Sequence, residues 1–262
     1  MLPVTAAITG LGTAAVKTAA DFDSSMSNVQ AISGASAEDM DKLRERAREM
    51  GAQTKFSAKE AGDAMGYMAM AGWNVQDMYN SLPGIMNLAA ASGEDLATTS
   101  DIVTDAMTAF GLAADETTTI VKDGFSKEVD NATHFADVLA KAASSSNTNV
   151  SMLGESFKYI APVAGSLGYS VEDAAVALGL MANSGIKASQ GGTALRTMLT
   201  NLAKPTDSIA GAMDYLNISL SNSDGSMKSL KELMDNLRSS FGQCKMPMEE
   251  FQATVGRHRS KV

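Results

Sequence analysis

Hydrophobic positions along most of the chain recur every three or four residues, which is the spacing of one buried face on an α-helix. Near the start of the chain they form a single narrow stripe, made of Val4, Ile8, Leu11, Ala15, Phe22, Met26 and Val29. This stripe predicts a long helix over residues 1–33 that ends near Gly34. Because the stripe is narrow, we expect the helix to pack against another helix.

Helix-start and helix-stop signals divide the next part of the chain into shorter helices. At Ser57 and Glu60 the sequence has the capping-box pattern, in which two side chains accept backbone N–H groups that a helix start leaves unpaired. Pro83 predicts a kink or a restart within one of these helices. The predicted helix starts are Ser36, Ser57, Asn74 and Ser92–Asp95, and the predicted ends are Gly51, Gly72, Gly93 and Gly111.

The same order of signals occurs twice. The residues GWNVQD at 72–77 match GYSVED at 168–173. Self-similarity of this kind indicates repeated structural units, and it has to be recognised before the fold is assigned. We predict two similar helix-turn-helix units, as pseudo-repeats over about 54–111 and 148–203.

The second copy follows the same plan as the first. Ser151 is expected to open a helix that Pro162 interrupts. Ser170 is expected to open the next helix, which runs to Gly185. A third helix follows in each copy.

Composition and pattern together predict an all-α fold. Hydrophobic residues make up 45% of the chain but aromatic residues only 5%, so the apolar content lies in helix formers such as Ala, Leu and Met. One exception is the alternation of Ile218 and Leu220 with polar residues ahead of the turn pair Asp224–Gly225. It predicts one small β-hairpin near residues 217–228, whereas residues 112–130 are expected to be irregular.

Charge and cysteine content narrow the classes of partner and cofactor. The net charge of −9 argues against nucleic acid as the main partner, because phosphate binding requires Lys and Arg. The single Cys244, with only His134 and His258, supplies neither a disulfide framework nor a zinc site. Residues 1–16 are uncharged but lack a basic start, and a span needs roughly 20 apolar residues, so we expect no signal peptide and no membrane span.

Two serines lie in short motifs that resemble hydrolase signatures. Ser166 lies in a sequence that lacks the first glycine of G-x-S-x-G and follows a predicted helix, where that motif requires a strand. Ser184 and Lys187 match S-x-x-K, but no K-T-G follows. Helix ends and chance are the better interpretations of both motifs.

Three further patterns are incomplete as binding sites. Asn222–Gly225 resembles part of a calcium loop, but its first and twelfth ligand positions are Leu220 and Lys231. His134 has no second histidine nearby in the sequence, and Gly191–Gly192 lacks the Gly-Lys-Ser/Thr ending of a phosphate loop. We therefore predict no catalytic, cofactor-binding or metal-binding residues, and no cofactor.

Methionines cluster in the first repeat. They are Met65, Met68, Met70, Met78 and Met86. Core filling is the simpler interpretation, with an adaptable binding surface as the alternative.

Longer stretches of the sequence resemble one known family. They are GIMNLAAASGEDLATTSDIVTDAMTAFGL at 84–112, HFADVLA at 134–140, NTNVSMLGESFKYIAPVAGSLGYSVEDAAVALGLMANSGIKASQGGTALR at 147–196 and SDGSMKSL at 223–230. Over roughly residues 10–242 the chain closely resembles the core region of phage tail tape measure proteins.

This resemblance implies a structural role and a set of partners. Proteins of this family fill the lumen of the phage or prophage tail tube, set the tail length during virion assembly, and assist genome delivery through the host envelope. The implied partners are the tail tube protein, tail assembly chaperones, tail tip or baseplate proteins, and further copies of the chain as a homo-oligomer. The implied location is the virion tail, after synthesis in the bacterial cytoplasm, with a host membrane as a partner of the full-length protein only.

The sequence also departs from the family. Residues 115–131 form a longer connection between the two repeats than is usual in the family. The sequence after Gly242 no longer resembles the family, so we interpret the chain as truncated after about residue 242. We accordingly divide it into a long N-terminal helix at 1–33, a core domain at 34–242 and a divergent tail at 243–262 that is expected to be disordered.

Two alternatives remain at the level of the sequence. One is a membrane-active or self-assembling helical interaction protein without a role in length determination. The other is a hydrolase that uses Ser166 or Ser184, which would react with a serine-directed phosphonate.

Overall fold

The computed structural model of the protein describes residues 2–122, 125–223 and 228–243. Within these residues the chain forms eleven α-helices and two β-strands, so the all-α fold class with one small hairpin is confirmed. The helices are α1 Leu2–Ser33, α2 Ala37–Gln53, α3 Ala58–Met70, α4 Val75–Ser92, α5 Leu96–Phe110, α6 Asn131–Ser145, α7 Val150–Ser166, α8 Val171–Asn183, α9 Ala188–Ala203, α10 Asp207–Tyr215 and α11 Leu230–Gln243. The strands are β1 Thr117–Lys122 and β2 Phe125–Asp130.

The described chain divides into two compact units. Unit 1 comprises the residues up to Thr108 together with Leu112–Ala140, and unit 2 comprises Ala109–Gly111 and the residues from Lys141 onward. Each unit contains helices of one copy of the sequence repeat. The proposed division at 1–33, 34–242 and 243–262 stays a prediction.

The core of unit 1 forms where α1 and α2 pack against α3. Phe22, Met26 and Val29 of α1 are buried there, as the stripe predicts. Ala15 is exposed, so the stripe overestimates how much of α1 is covered. The side chains of Val4, Ile8 and Leu11 lie outside the described ones.

The core of unit 2 forms where α7 packs against α9, with α8 and α11 beside them. Phe157 of α7 is fully buried and meets the ring of Phe110 edge to face, with 5.6 Å between the ring centroids. Leu195 and Leu199 of α9 and Leu233 of α11 are buried in the same unit.

Most helix starts lie where the sequence predicts them. The N–H of Ser57 donates to Glu60 Oε2 at 2.7 Å, while the N–H of Glu60 donates to Ser57 Oγ at 3.2 Å, which is the capping box. Asn74 and Ser170 cap α4 and α8 through the N–H groups of Asp77 and Asp173.

Four local predictions are corrected. Asn149, not Ser151, caps α7, because its side chain accepts the N–H of Met152 at 2.7 Å. Helix α2 continues past Gly51 to Gln53. Pro162 does not interrupt α7 and α4 does not restart at Pro83, because both prolines lie inside continuous helices with buried neighbours such as Leu82 and Ala161. A kink at Pro83 stays a prediction.

The two β-strands form in a different segment from the hairpin predicted near residues 217–228. The strands pair antiparallel from Thr117 opposite Asp130 to Lys122 opposite Phe125, in the segment expected to be irregular. In the described part of residues 217–228 no full strand forms, and Asn217 adopts φ 52° while the N–H of Ile218 donates to the carbonyl of Met213 at 2.8 Å. Ser221 nevertheless makes an isolated β-bridge, and the N–H of Lys228 donates to the carbonyl of Leu220 at 2.8 Å. The bond from Ile218 ends α10, whereas the bond from Lys228 joins the two flanks of the predicted hairpin. The predicted turn at Asp224–Gly225 lies outside the described residues.

Candidate interaction surfaces

The repeated hexapeptide forms the same turn in both units. Gly72 and Gly168 adopt φ of 83° and 77°, a conformation that residues with a Cβ rarely adopt. Beyond each glycine, the N–H of Trp73 donates to Met68 at 3.1 Å and the N–H of Tyr169 donates to Ala164 at 2.9 Å. Both bonds satisfy carbonyl groups at a helix end, so the hexapeptide acts as a helix–helix connector.

Burial changes the ionisation of two side chains beside these turns. Desolvation raises the pKa of Asp77, although the N–H of Asn74 stabilises its charged form. Desolvation, together with the negative charge of Asp173, raises the pKa of Tyr169. Both groups lie beside the turns that the repeated hexapeptide forms.

The two candidate serine nucleophiles end helices. The hydroxyl of Ser166 donates to the carbonyl of Val163 at 2.9 Å at the end of α7. The hydroxyl of Ser184 donates to the carbonyl of Leu180 at 3.3 Å just after α8. Each hydroxyl is bonded to its own helix terminus.

Gly191 and Gly192 bring two helices into close contact. Both are buried near the start of α9, and a Cβ added at Gly192 would overlap the carbonyl of Ser156 on α7 and lie 2.9 Å from its Cα. The hydroxyl of Ser156 donates to the carbonyl of Ala188 at 2.7 Å at the same crossing. The glycine pair therefore serves packing between α7 and α9.

The remaining candidates are dispersed. His134 is half-buried on α6 and Asn222 is exposed, while Cys244 and His258 lie outside the described residues. No group of three or more His, Cys, Asp or Glu side chains with metal-binding geometry occurs in the described part of the chain. The absence of catalytic, cofactor and metal residues stays a prediction.

Most of the clustered methionines fill the core. Met65, Met68, Met78 and Met86 are buried, whereas 59% of Met70 is exposed. This distribution favours the packing interpretation over an adaptable binding surface.

The hairpin is the surface that sequence reasoning missed. Its root is fixed by Asn131, which accepts the hydroxyl of Thr118 at 2.6 Å and donates to the carbonyl of Ala113 at 2.9 Å. Asp130 accepts the N–H of Thr133 at 2.8 Å, which joins the strand to the start of α6. The run TTTIVK, rich in β-branched residues, was the available signal.

A membrane-crossing helix, which needs both length and an apolar surface, does not occur among the described residues. Unit 2 nevertheless exposes Val176 and Leu180, which are neighbours on one face of α8. These side chains and the hairpin are two of the exposed surfaces that could contact other proteins.

Comparison with known proteins identifies similar sequences. The family model of phage-related minor tail protein matches residues 44–255, so the match extends past residue 242, where the resemblance was expected to end. A tape measure protein of Pneumococcus phage Dp-1 is 40% identical over 235 residues, which cover 90% of this chain and 19% of that protein. A probable tape measure protein of Escherichia phage P2 is 26% identical over 223 residues, covering 84% of this chain and 26% of that protein. No solved structure matches.

Proposed function

The chain belongs to the phage-related minor tail protein family, and from this premise we propose that it is part of a tape measure protein. In this role the protein occupies the lumen of the tail tube, sets the tail length during assembly and assists genome delivery through the host envelope. The observation that carries the proposal is the 40% identity to a tape measure protein over 90% of this chain.

The helical structure of the two units is consistent with a structural role in tail assembly and with no enzymatic activity. The two units are made from helices joined by glycine turns, and the candidate serines are bonded to their own helix ends. The proposed partners are the tail tube protein, tail assembly chaperones, tail tip or baseplate proteins and further copies of the chain. The relatives are several times longer than this chain, so the length of the ruler depends on the gene product that contains it.

The test of the length-setting role uses the phage or prophage that carries the gene. The deletions are made in frame, in predicted helical segments of the gene product that lie outside the region corresponding to residues 44–255. Each deletion should shorten the tail by about 1.5 Å per deleted residue, which is the rise of a helix. Duplications of the same segments should lengthen it. Tail length is measured by electron microscopy of purified virions.

A control substitution separates an effect on tail length from an effect on folding. A control substitution at an exposed position of one of these helices should give tails of normal length. Tails of unchanged length after a deletion that still allows assembly would reject the ruler role.

The non-enzymatic part of the proposal has its own test. A serine-reactive phosphonate should not label the purified chain. Labelling that is lost in Ser166→Ala or Ser184→Ala would instead establish a nucleophilic serine.

A further inference from the structure

The hairpin has two outer edges. The alternating pattern of its backbone hydrogen bonds shows which residues direct their N–H and C=O groups towards each edge. The N–H of Asn131 donates to the carbonyl of Glu116 at 3.1 Å, so these residues form a hydrogen-bonded pair in line with the register of the strands. Hydrogen-bonded and non-hydrogen-bonded pairs alternate along an antiparallel ladder. Thr119 and Glu128, which lie opposite each other, therefore direct their backbone N–H and C=O groups away from the hairpin.

The outer edge of β1, which we call the β1 edge, consists of the backbone groups of residues 117, 119 and 121. Thr117 and Thr119 are exposed, and the sheet has two strands within the described chain. Such an edge is a template for a further strand. A two-stranded hairpin is also marginally stable in water, so an added strand would stabilise it.

The sequence of β1 is complementary to itself. When two β1 strands pair antiparallel about Thr119, Thr118 lies opposite Ile120 of the other copy. In the same register, Glu116 lies opposite Lys122, and the two-fold axis produces this oppositely charged pair twice. Opposite charges on facing strands are favourable and like charges are not.

The outer edge of β2, the β2 edge, is not self-complementary. Antiparallel pairing about Glu128 puts two glutamates opposite each other, and pairing about Lys127 does the same with two lysines. A shift that centres on Val129 places Glu128 opposite Asp130. Charge therefore protects the β2 edge from self-association and leaves the β1 edge open to it.

We propose that the β1 edge is a self-association surface, at which the hairpins of two copies of this chain form a four-stranded antiparallel sheet across a two-fold axis. About six backbone hydrogen bonds join the two β1 strands. An interface of this kind is isologous, so the same edge serves both partners. The proposal gives a surface to the self-association included in the proposed function, but it does not depend on the length-setting role.

A pair of proline variants of the 262-residue chain tests the proposal. Thr119→Pro removes an N–H from the β1 edge, and Glu128→Pro removes the corresponding N–H from the β2 edge. Neither N–H belongs to the ladder within the hairpin, so the two variants are matched. Sedimentation equilibrium should show a reversible dimer whose dissociation constant rises at least about tenfold in Thr119→Pro and changes less than about twofold in Glu128→Pro.

Charge exchange and cross-linking test the register. Glu116→Lys should weaken the dimer, and addition of Lys122→Glu should restore it. Facing residues of a hydrogen-bonded pair have Cα atoms about 5.5 Å apart, within disulfide range. In the Cys244→Ser background, mild oxidation should therefore link Thr119→Cys chains rapidly but Glu128→Cys chains slowly.

The results that would reject self-association through the β1 edge differ from those that would reject the length-setting role. A chain that stays monomeric at about 200 μM, or equal weakening of the dimer by both prolines, rejects the β1 edge. Failure of the charge exchange to restore association rejects the register. None of these results bears on tail length, which is measured in virions.

Discussion

The two copies of the repeat share their turns but bury their first helices differently. In unit 1, α3 packs most extensively on α1, which lies outside the repeat, whereas in unit 2 the corresponding α7 packs most extensively on α9, which lies inside it. The turns at Gly72 and Gly168 are nevertheless alike in dihedral angle and hydrogen bonding. A repeated sequence therefore fixes the local connection without fixing the packing partner.

Glycines mark both crossings. Gly62 of α3 faces Ser25 of α1, and a Cβ there would lie 2.6 Å from the serine Oγ. Gly192 of α9 faces the backbone of Ser156 on α7. An added Cβ would contact side-chain atoms at the first crossing but backbone atoms at the second. The helices of unit 2 can therefore shift less to accommodate it.

The largest expected effect is therefore at Gly192. Gly192→Ala should destabilise the protein by about 3 kcal/mol, because the new methyl group overlaps backbone that cannot move without shifting α7. Urea unfolding followed by circular dichroism measures the change. Gly66→Ala is the control, since its Cβ meets only Asn28 Nδ2 at 3.7 Å, and helix propensity predicts a gain of about 0.5–1 kcal/mol.

Gly62→Ala should have a smaller effect on unit 1, about 1–2 kcal/mol, because the side chains of Ser25 and Met26 can move in part. The single tryptophan, Trp73, lies in this unit, so its fluorescence during urea unfolding reports the change. Adding Ser25→Ala removes the nearest atom and should recover part of the loss. A loss as large as that of Gly192→Ala would show that the two crossings are equally rigid.

Removal of the helix caps compares the two turns directly. Asn74→Ala and Ser170→Ala should each cost about 1 kcal/mol, because each leaves one backbone N–H at a helix start without its side-chain partner. The backbone N–H of Asn74 also donates a reciprocal bond to Asp77 Oδ2 at 3.1 Å. Asn74→Ala retains this backbone donor, so similar losses in thermal unfolding are expected for the two variants, and a difference above about 1 kcal/mol would contradict equivalent turns.

The smallest expected effect is the pH dependence due to Asp77. Because burial raises its pKa above the ordinary value of 3.8, the contribution of this group to stability is complete below that value and is lost as pH rises through the folded-state pKa. Asp77→Asn keeps an acceptor oxygen without a charge. The free energy of unfolding of the variant relative to the parent should therefore increase as pH rises from about 4 to 7, by less than about 1 kcal/mol. A flat difference over this range would contradict the raised pKa.

Local signals were the most reliable part of the sequence. The capping box at Ser57 and the caps at Asn74 and Ser170 need only a few adjacent residues, and all occur as predicted. The hydrophobic stripe of α1 predicted burial at Phe22, Met26 and Val29 but failed at Ala15. A stripe shows which face can be buried, but not how far a partner helix extends along it.

The hairpin shows where sequence reasoning failed. Ile218 alternates with polar residues, yet its N–H completes the end of α10, whereas TTTIVK forms a strand beside a root that Asn131 and Asp130 fix. Alternation over a few residues cannot distinguish these outcomes, because bonds to residues outside the alternating segment decide them. The β1 edge, and with it the proposed self-association surface, followed only from the register.

By itself, the sequence determined most of the helix starts, the glycine turns and the absence of a complete enzyme signature, since each depends on residues close together in the chain. Tertiary structure alone decided the partner of each first helix, the close contact of Gly192 with Ser156 and the position of the hairpin. These features depend on atoms brought together from distant parts of the chain. Their free energies come from packing and from backbone groups that pair only after folding.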